Sequence, residues 1–317
     1  MRKSISSRST FASIGLLLIP LFAANTIRSA EPVPIDDRAL KQAFEDEFQA
    51  RHASGKFVSP QRILSELRKE KRHPLALDSG ESGESLSPAE LYRRTKAATL
   101  VFGRLYLCDD CDRLHSSLAG GVLVSGDGLA LTNYHVLSSR GTEIFGALTE
   151  TGLPLAVEEV LASSRKDDIA LVRLSGAEDL PFLRLAAGPG QAEVGSEVFV
   201  VSHPDAHFYS LSRGHISRYS LNVRTRAPVL QVTAPFARGS SGSGVVNREG
   251  RLVGLVAATN SIYYVQEREK QKDLQMVVNS CVPLSSLRSL LTDAEPSPTE
   301  RPDSDREESG DDAPPQP

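Results

Sequence analysis

The feature that most constrains the fold is a series of short apolar and β-branched segments, separated by turns rich in Gly, Pro and Asp. Two of them flank Gly126-Asp127-Gly128, a sequence that favours a tight β-hairpin. No helical pattern alternates with the segments, so a parallel sheet with crossover helices is not expected. The series predicts an all-β barrel or sandwich. The predicted strands are 99–107, 121–125, 129–136, 144–148, 169–174, 197–202, 215–219, 229–233, 244–247, 252–258 and 274–278.

Helical patterns precede this β region. Leu40, Phe44 and Phe48 recur every four residues and therefore share one helix face. Ser59-Pro60 places a capping serine before a proline at the first helical position, which marks the start of a second helix. Residues 31–86 are therefore predicted to form a helical extension that ends in a Ser- and Gly-rich linker.

The ends of the chain differ in composition from its middle. Residues 1–30 combine a basic start with a short apolar run and small residues, which predicts a signal peptide and an exported protein, periplasmic or secreted. An uncleaved membrane anchor is the alternative, although the run is shorter than the roughly 20 residues that span a bilayer. A folded domain is predicted over 87–292. Ser87-Pro88, with Glu90 three residues after the serine, marks a helix at its start, and a last helix is predicted from Pro283. Residues 293–317 hold nine acids and six prolines and predict a disordered tail.

The net charge of −4 is distributed unevenly along the chain. The leader is basic and the tail is strongly acidic, so the body between them is close to neutral. A nucleic-acid-binding surface requires clustered positive charge, and we therefore predict no nucleic-acid partner.

Three short segments carry the residue types of a nucleophilic site: 131–137 with His135, 167–174 with Asp168, and 238–244 with Ser241. A serine hydroxyl needs a neighbouring base that takes its proton, and histidine titrates near neutrality. A carboxylate fixes the imidazole tautomer and stabilises the cation that forms. Glycines around the serine allow a sharp turn that presents backbone N–H groups to a developing oxyanion. The candidate oxyanion-hole donors are the N–H groups of Gly239 and Ser241.

These segments resemble those of trypsin-like serine peptidases with the chymotrypsin fold, and are most like the bacterial HtrA type. Members of that type have T-N-x-H-V, D-I-A-L and G-x-S-G segments in this order, and the resemblance covers about residues 88–291. It implies two antiparallel six-stranded β-barrels, at about 98–178 and 190–282, followed by a C-terminal helix. It also implies a serine endopeptidase that acts on polypeptides through an acyl-enzyme, without a cofactor. The implied catalytic residues are His135, Asp168 and Ser241.

Two positions depart from the HtrA pattern. Ser243 stands where a second glycine is common, and Arg238 stands where a smaller or more rigid residue is expected. Either change could misalign the oxyanion loop, so a catalytically inactive fold that binds peptides or acts as a scaffold stays as the alternative. A PDZ domain, usual in HtrA enzymes, is not expected after Leu291. Residues 31–86 could dock on, inhibit or trimerise the enzyme, which leaves a homo-oligomer open.

Neighbouring residues compete with the three chosen ones. The family pattern selects Asp168 over Asp167, because the acid stands directly before Ile-Ala-Leu. It selects Ser241 over Ser240 and Ser243, because glycine stands two residues before Ser241 and one after it. Asp167 is expected to be a solvated loop residue. Surface or loop positions are expected for His115, His203, His207 and His215.

The resemblance also suggests a primary specificity pocket beside residues 234–237 and 256–258. Neither stretch contains an acid, so a preference for Lys or Arg is not expected, and we predict a small or medium apolar P1 residue. The candidate lining residues are Pro235, Phe236, Ala257 and Ala258.

Cys108-Asp-Asp-Cys111, with His115 four residues later, leaves three alternatives open. We prefer a local disulfide or reduced loop thiols, and no metal is favoured. A zinc site of Cys108, Cys111 and His115 would need a fourth ligand. A redox role lacks a thioredoxin-like context. Cys281 lies in an apolar segment and is expected to be a buried free thiol.

Overall fold

The computed structural model describes residues 33–74, 83–108, 110–267 and 270–291, with the backbone alone at 266, 267 and 270. The predicted signal peptide and acidic tail, and part of the predicted linker, lie outside these residues. None of the described helices is long and apolar enough to cross a membrane.

In the described part of the chain, helices stand at both ends and strands fill the middle. The helices are α1 (Asp37–Ser54), α2 (Pro60–Leu67), α3 (Pro88–Ala98), α4 (Tyr134–Leu137) and α5 (Leu284–Leu291). The strands are β1 (Thr99–Cys108), β2 (Cys111–Leu123), β3 (Leu129–Thr132), β4 (Thr142–Leu148), β5 (Pro154–Ser164), β6 (Ile169–Ser175), β7 (Glu197–Ser202), β8 (Ser210–Leu221), β9 (Pro228–Val232), β10 (Gly244–Val246), β11 (Leu252–Glu267) and β12 (Lys270–Pro283).

The described strands form two closed antiparallel barrels, which confirms the predicted fold class. The first barrel runs in the order β1-β2-β3-β6-β5-β4, and the second runs β10-β11-β12-β9-β8-β7. The predicted hairpin at Gly126-Asp127-Gly128 joins β2 to β3, where Val124 N donates to Leu129 O at 2.8 Å. Closure of both sheets leaves no free edge strand in either barrel.

The helices before the first barrel begin where the sequence predicts. Ser59 Oγ accepts the N–H of Arg62 at 3.3 Å at the start of α2, and Ser87 Oγ accepts the N–H of Glu90 at 3.2 Å at the start of α3. In each helix a proline takes the first position, where its missing N–H costs nothing. The caps fix both starts locally.

Helix α1 packs directly on the first barrel. Phe44 and Phe48 are fully buried against residues of β1 and β4. A side chain at Gly146 of β4 would overlap the ring of Phe48, so the absence of a Cβ there makes room for the helix. The extension is therefore part of the barrel's hydrophobic core.

Several strand predictions differ from the structure, among them β2, which begins at Cys111 and not at residue 121. Strand β5 was not predicted, because bulges at Glu158 and Leu161 break its alternation of buried and exposed residues. Strand β3 ends at Thr132, so His135 lies in the helical turn α4 and not in a strand. Strands β11 and β12 extend well beyond the predicted segments, because their pairing continues from Gly254–Pro283 outward to Glu267–Lys270.

Candidate active site

His135 is presented by the short helical turn α4 at the end of β3. Strand β3 is anchored in the barrel by its pairing with β6, in which Thr132 lies opposite Ala170. Tyr134 and Leu137 are buried on either side of His135. Burial of these two neighbours directs the half-exposed imidazole away from the core.

Asp168 holds His135 at two points. Its Oδ2 lies 2.7 Å from Nδ1 of the imidazole, and its Oδ1 accepts the backbone N–H of His135 at 2.9 Å. Asn133 Nδ2 donates to the backbone carbonyl of Asp168 at 2.9 Å. Asp168 adopts a left-handed backbone conformation with φ of 58°, which aspartate tolerates better than most residues. The carboxylate therefore favours a proton on Nδ1 and leaves Nε2 as the acceptor.

Asp167 has a different role from its neighbour. Its Oδ2 accepts the Ser164 hydroxyl at 2.7 Å, and its Oδ1 accepts the Ser286 hydroxyl at 3.1 Å. The prediction of a solvated loop residue missed the second contact, which joins this loop to α5. No local pattern signals a bond to a residue so distant in the sequence.

Ser241 lies in a turn that glycine makes sterically feasible. The N–H of Ser240 donates to Ala237 O at 3.1 Å, with Gly239 at φ of 94° in the turn and Gly242 at φ of 85° after it. A Cβ at position 239 would lie 2.5 Å from His203 O. A Cβ at position 242 would lie 2.2 Å from Gly120 O, so both positions require glycine for conformation and for space.

The Ser241 loop is docked on the first barrel beside the segment that carries His135. The N–H of Gly120 in β2 donates to Ser241 O at 2.7 Å. The carbonyl of the same Gly120 accepts the hydroxyl of Thr132, three residues before His135, at 2.9 Å. Ser241 Oγ donates to Ala257 O at 3.3 Å, and not to His135. The loop thus lies beside the segment that carries His135, with the side chain of Ser241 turned toward β11.

Residues 119–255, which include His135, Asp168 and Ser241, match the family model of the trypsin-like peptidase domain. This region is therefore similar to a trypsin-like peptidase domain. Its sequence is 32% identical over 141 residues to a probable periplasmic serine endoprotease, DegP-like, from Hahella chejuensis, an alignment that covers 44% of this chain and 29% of that protein. A protein of the same description from Pseudomonas fluorescens is 29% identical over 148 residues, 46% of this chain and 30% of that protein. The matched region is thus under a third of each relative's length.

The fold of the two barrels is similar to that of HtrA-type proteases of known structure. An HtrA-type protease, AlgW, with a decapeptide superimposes with a TM-score of 0.51 at 17% identity, over 63% of this chain and 64% of that one. AlgW with a tripeptide gives a TM-score of 0.50 at 20% identity, over 65% and 64%. At these identities the likeness establishes the chymotrypsin-like fold.

Arg238, which departs from the HtrA pattern, is held by the loop after β7. Its carbonyl accepts the N–H of Asp205 at 2.7 Å, and its Nη2 lies 2.7 Å from Asp205 Oδ1. The guanidinium lowers the pKa of the Asp205 carboxyl through this hydrogen bond and its charge. Because the ion pair is largely exposed, the backbone bond contributes more to fixing the peptide before Gly239.

The N–H groups of Gly239 and Ser241 have no hydrogen-bond acceptor within the described residues. Ser243, the other departure, packs its hydroxyl against Gly120, where a side chain would collide with it. The Ser243 hydroxyl is buried without a described partner. The extra hydroxyl is therefore accommodated by the glycine of β2, and the two candidate donors of the oxyanion hole stay free.

His203 lies in the loop after β7, within the predicted surface or loop positions, but it is buried beneath the Ser241 loop and not at the surface. It is 1% exposed, its Nε2 lies 3.0 Å from Leu100 O, and its Nδ1 accepts the N–H of Tyr209 at 3.1 Å. Desolvation lowers the pKa of His203 to about 4, which keeps the ring neutral at physiological pH. Its context in the sequence, at the end of an apolar strand and before a proline, did not distinguish it from a surface histidine.

Two of the candidate pocket residues stand shortly before Ser241 in the chain, and two lie on β11. Phe236 is 8% exposed and Pro235 is exposed beside it. Ala257 is half-buried and accepts the Ser241 hydroxyl, while Ala258 is exposed on the same strand. Ala257 is therefore the pocket candidate that the structure brings into contact with Ser241.

The two cysteines of the β1–β2 hairpin are unbridged and converge with a histidine. The Sγ atoms of Cys108 and Cys111 lie 3.1 Å apart. Nε2 of His115 lies 3.3 Å from Sγ of Cys108 and 3.0 Å from Sγ of Cys111. Hydrogen bonds from His115 and Cys108 lower the pKa of the Cys111 thiol to about 6. Cys281 is a buried free thiol as predicted, and burial raises its pKa.

Proposed function

We propose that this chain is an exported serine endopeptidase that cleaves unfolded or exported polypeptides through an acyl-enzyme. The observation that carries the proposal is the two-point hold of Asp168 on His135, next to a glycine-bounded turn that presents Ser241. The relatives described as periplasmic serine endoproteases and the HtrA-type structures with peptides support it.

In the proposed reaction Ser241 Oγ attacks the substrate carbonyl and its proton passes to His135 Nε2. Asp168 stabilises the imidazolium, which then gives the proton to the leaving amine. Water repeats the sequence and releases the acyl group. The N–H groups of Gly239 and Ser241 stabilise the oxyanion, and loss of one such donor typically costs about 3 kcal/mol.

The reaction requires one side-chain rotation. Ser241 Oγ donates to Ala257 O, so it must rotate toward His135 before attack. Such hydrogen bonds are often unformed before substrate binds. The hydrogen bond from Ser241 to the Ala257 carbonyl also favours the alternative function. In that alternative the fold is inactive and binds peptides, with its serine turned away from His135.

We propose that the substrate side chain before the scissile bond is small or medium-sized and apolar. The supporting observations are the contact of Ser241 with Ala257, the apolar character of Phe236 and Ala258 in the same two stretches, and the absence of acids in 234–237 and 256–258. A peptide library varied at this position tests the proposal, and a strong preference for Lys or Arg would reject it.

Substitution of the nucleophile tests the proposed mechanism. We expect Ser241→Ala to abolish hydrolysis of casein, used as an unfolded substrate, with an unchanged circular dichroism spectrum. Ser240→Ala is the matched control, because the buried Ser240 hydroxyl has no described partner and its removal leaves no acceptor unpaired.

Fluorophosphonate labelling separates the enzyme from the alternative. Mass spectrometry of the labelled wild-type protein should locate one adduct on Ser241, and Ser241→Ala should remain unlabelled. Folded wild-type protein that neither labels nor hydrolyses casein would favour the peptide-binding alternative.

A further inference from the structure

The tip of the β1–β2 hairpin brings together three side chains that the peptidase mechanism does not use. The pairing of the two strands places Cys108 opposite Cys111 and Tyr106 opposite His115. The Sγ atoms of Cys108 and Cys111 and the Nε2 atom of His115 all lie within 3.3 Å of one another. All three side chains are half-buried, so their polar atoms converge in a shallow recess at the surface.

The orientation of His115 is fixed by its neighbours in the hairpin. Its ring packs on that of Tyr106, with the centroids 5.8 Å apart, and the guanidinium of Arg104 covers Tyr106 at 4.5 Å. A register shift between Leu107 and Cys108 brings the two cysteines together at the turn. The donor set is therefore arranged by strand pairing and ring packing.

We propose that Cys108, Cys111 and His115 bind a Zn²⁺ ion at the tip of this hairpin. Two thiolates and one imidazole, with the cysteines separated by two residues, are a donor set that zinc prefers, and three protein ligands leave a fourth position for water. A disulfide between the cysteines would not require the imidazole to point at both sulfur atoms.

The separations of the donor atoms fit a zinc site after a small opening. With Zn–S of about 2.3 Å and Zn–N of about 2.0 Å, tetrahedral donors lie roughly 3.6–3.8 Å apart. The observed separations of 3.0–3.3 Å are shorter by about half an ångström. Side-chain rotations at the half-buried tip can supply this opening without moving the barrel.

The surroundings are open and carry negative charge. The exposed acids Asp110 and Asp112 directly flank Cys111 in the sequence, whereas the bases Arg104 and Arg113 stand farther along the two strands, so the charge next to Cys111 favours a cation. On its other side His115 lines a groove of about 700 Å³ together with Glu45 and His52 of α1. The groove gives solvent access to the cluster, which an exchangeable zinc site requires.

Metal analysis of the full chain tests the inference. We expect inductively coupled plasma mass spectrometry of protein purified without chelators to find about one zinc ion per chain. The variants Cys108→Ser, Cys111→Ser and His115→Ala should each lose the zinc. Cys281→Ala should retain it, because the Cys281 thiol is buried in β12 and far from the hairpin in the sequence. Ser241→Ala should retain it too, which keeps this test separate from that of the peptidase mechanism.

Cobalt substitution gives a second readout that does not depend on the variants. Co²⁺ added to the reduced wild-type protein should produce thiolate-to-cobalt charge-transfer absorption, and Zn²⁺ should displace it. A Cys108–Cys111 disulfide in the exported protein, or no Co²⁺ spectrum after reduction, would overturn the proposal. Stoichiometric copper that zinc cannot displace would overturn the choice of ion.

Discussion

The backbone N–H of Phe208 donates a 2.9 Å hydrogen bond to the carboxylate of Asp37 in the first turn of α1. Phe208 belongs to the loop between β7 and β8, in which His203 O contacts Gly239 and Asp205 N binds the carbonyl of Arg238. The amino-terminal helix therefore supports the loop that positions the candidate oxyanion hole.

Removal of this support should lower activity. We expect Asp37→Ala to reduce kcat/KM on casein by about 10-fold, since loss of a hydrogen bond to a charged group costs about 1.5 kcal/mol. Asp46→Ala, on the same helix but bonded to Gln42, should retain wild-type kinetics. Equal kinetics of the two variants would show that α1 does not influence the nucleophile loop.

The carboxylate that holds the base should be essential for turnover. We expect Asp168→Asn to lower kcat by about 10⁴-fold, because an amide of the same shape no longer stabilises the imidazolium or enforces its tautomer. Steady-state kinetics on a peptide substrate measure the effect. Asp167→Asn is the control and should keep most of the activity, since Asp167 binds only Ser164 and Ser286 among the described residues. A reversed order of the two effects would assign the orienting role to Asp167.

Burial of His203 should make folding sensitive to acid. The pKa of His203 is about 4 in the folded protein and has its ordinary value near 6.5 in the unfolded chain. Between these values the unfolded state binds the extra proton, so stability falls as the pH drops from 6.5 toward 4, by about 3 kcal/mol from this residue. Urea unfolding at pH 7 and pH 4.5 measures the loss.

Two controls isolate the contribution of His203. His203→Gln should show a shallower pH dependence than the wild type, and His207→Gln, at an exposed histidine of the same loop, should not. In the wild-type protein the NMR signal of the His203 ring should show no protonation above pH 5. Titration near pH 6.5 would contradict the buried, neutral assignment.

Helix α1 should contribute strongly to stability. We expect Phe48→Ala to lower the free energy of unfolding by about 3–5 kcal/mol, because the fully buried ring fills the space over Gly146. Urea denaturation measures the change. Phe182→Ala, at a ring that is 41% exposed, should cost far less. Similar losses in the two variants would mean that α1 is not part of the core.

Local interactions explain the parts of the fold that the sequence predicted. Ser59-Pro60 and Ser87-Pro88 start helices because the cap and the fixed φ of proline act within one turn. Gly126-Asp127-Gly128 forms a hairpin because the backbone preferences of these residues favour a tight turn within the same few positions. The segments of His135, Asp168 and Ser241 were recognised because short motifs around them resemble those of HtrA-type peptidases, although the helical turn that carries His135 was predicted as strand. Strand β5 was missed because its bulges remove the alternation on which strand prediction depends.

The sequence by itself determined the strand-rich architecture, the helix starts and the three segments of the candidate site, since each depends on interactions between residues close in the chain. Only the tertiary structure decided the burial of His203 and the support of its loop by Asp37. The same holds for the orientation of Ser241 toward Ala257 and for the convergence of His115 on two cysteines. These contacts depend on barrel closure, strand register and desolvation, which arise only when distant segments pack together.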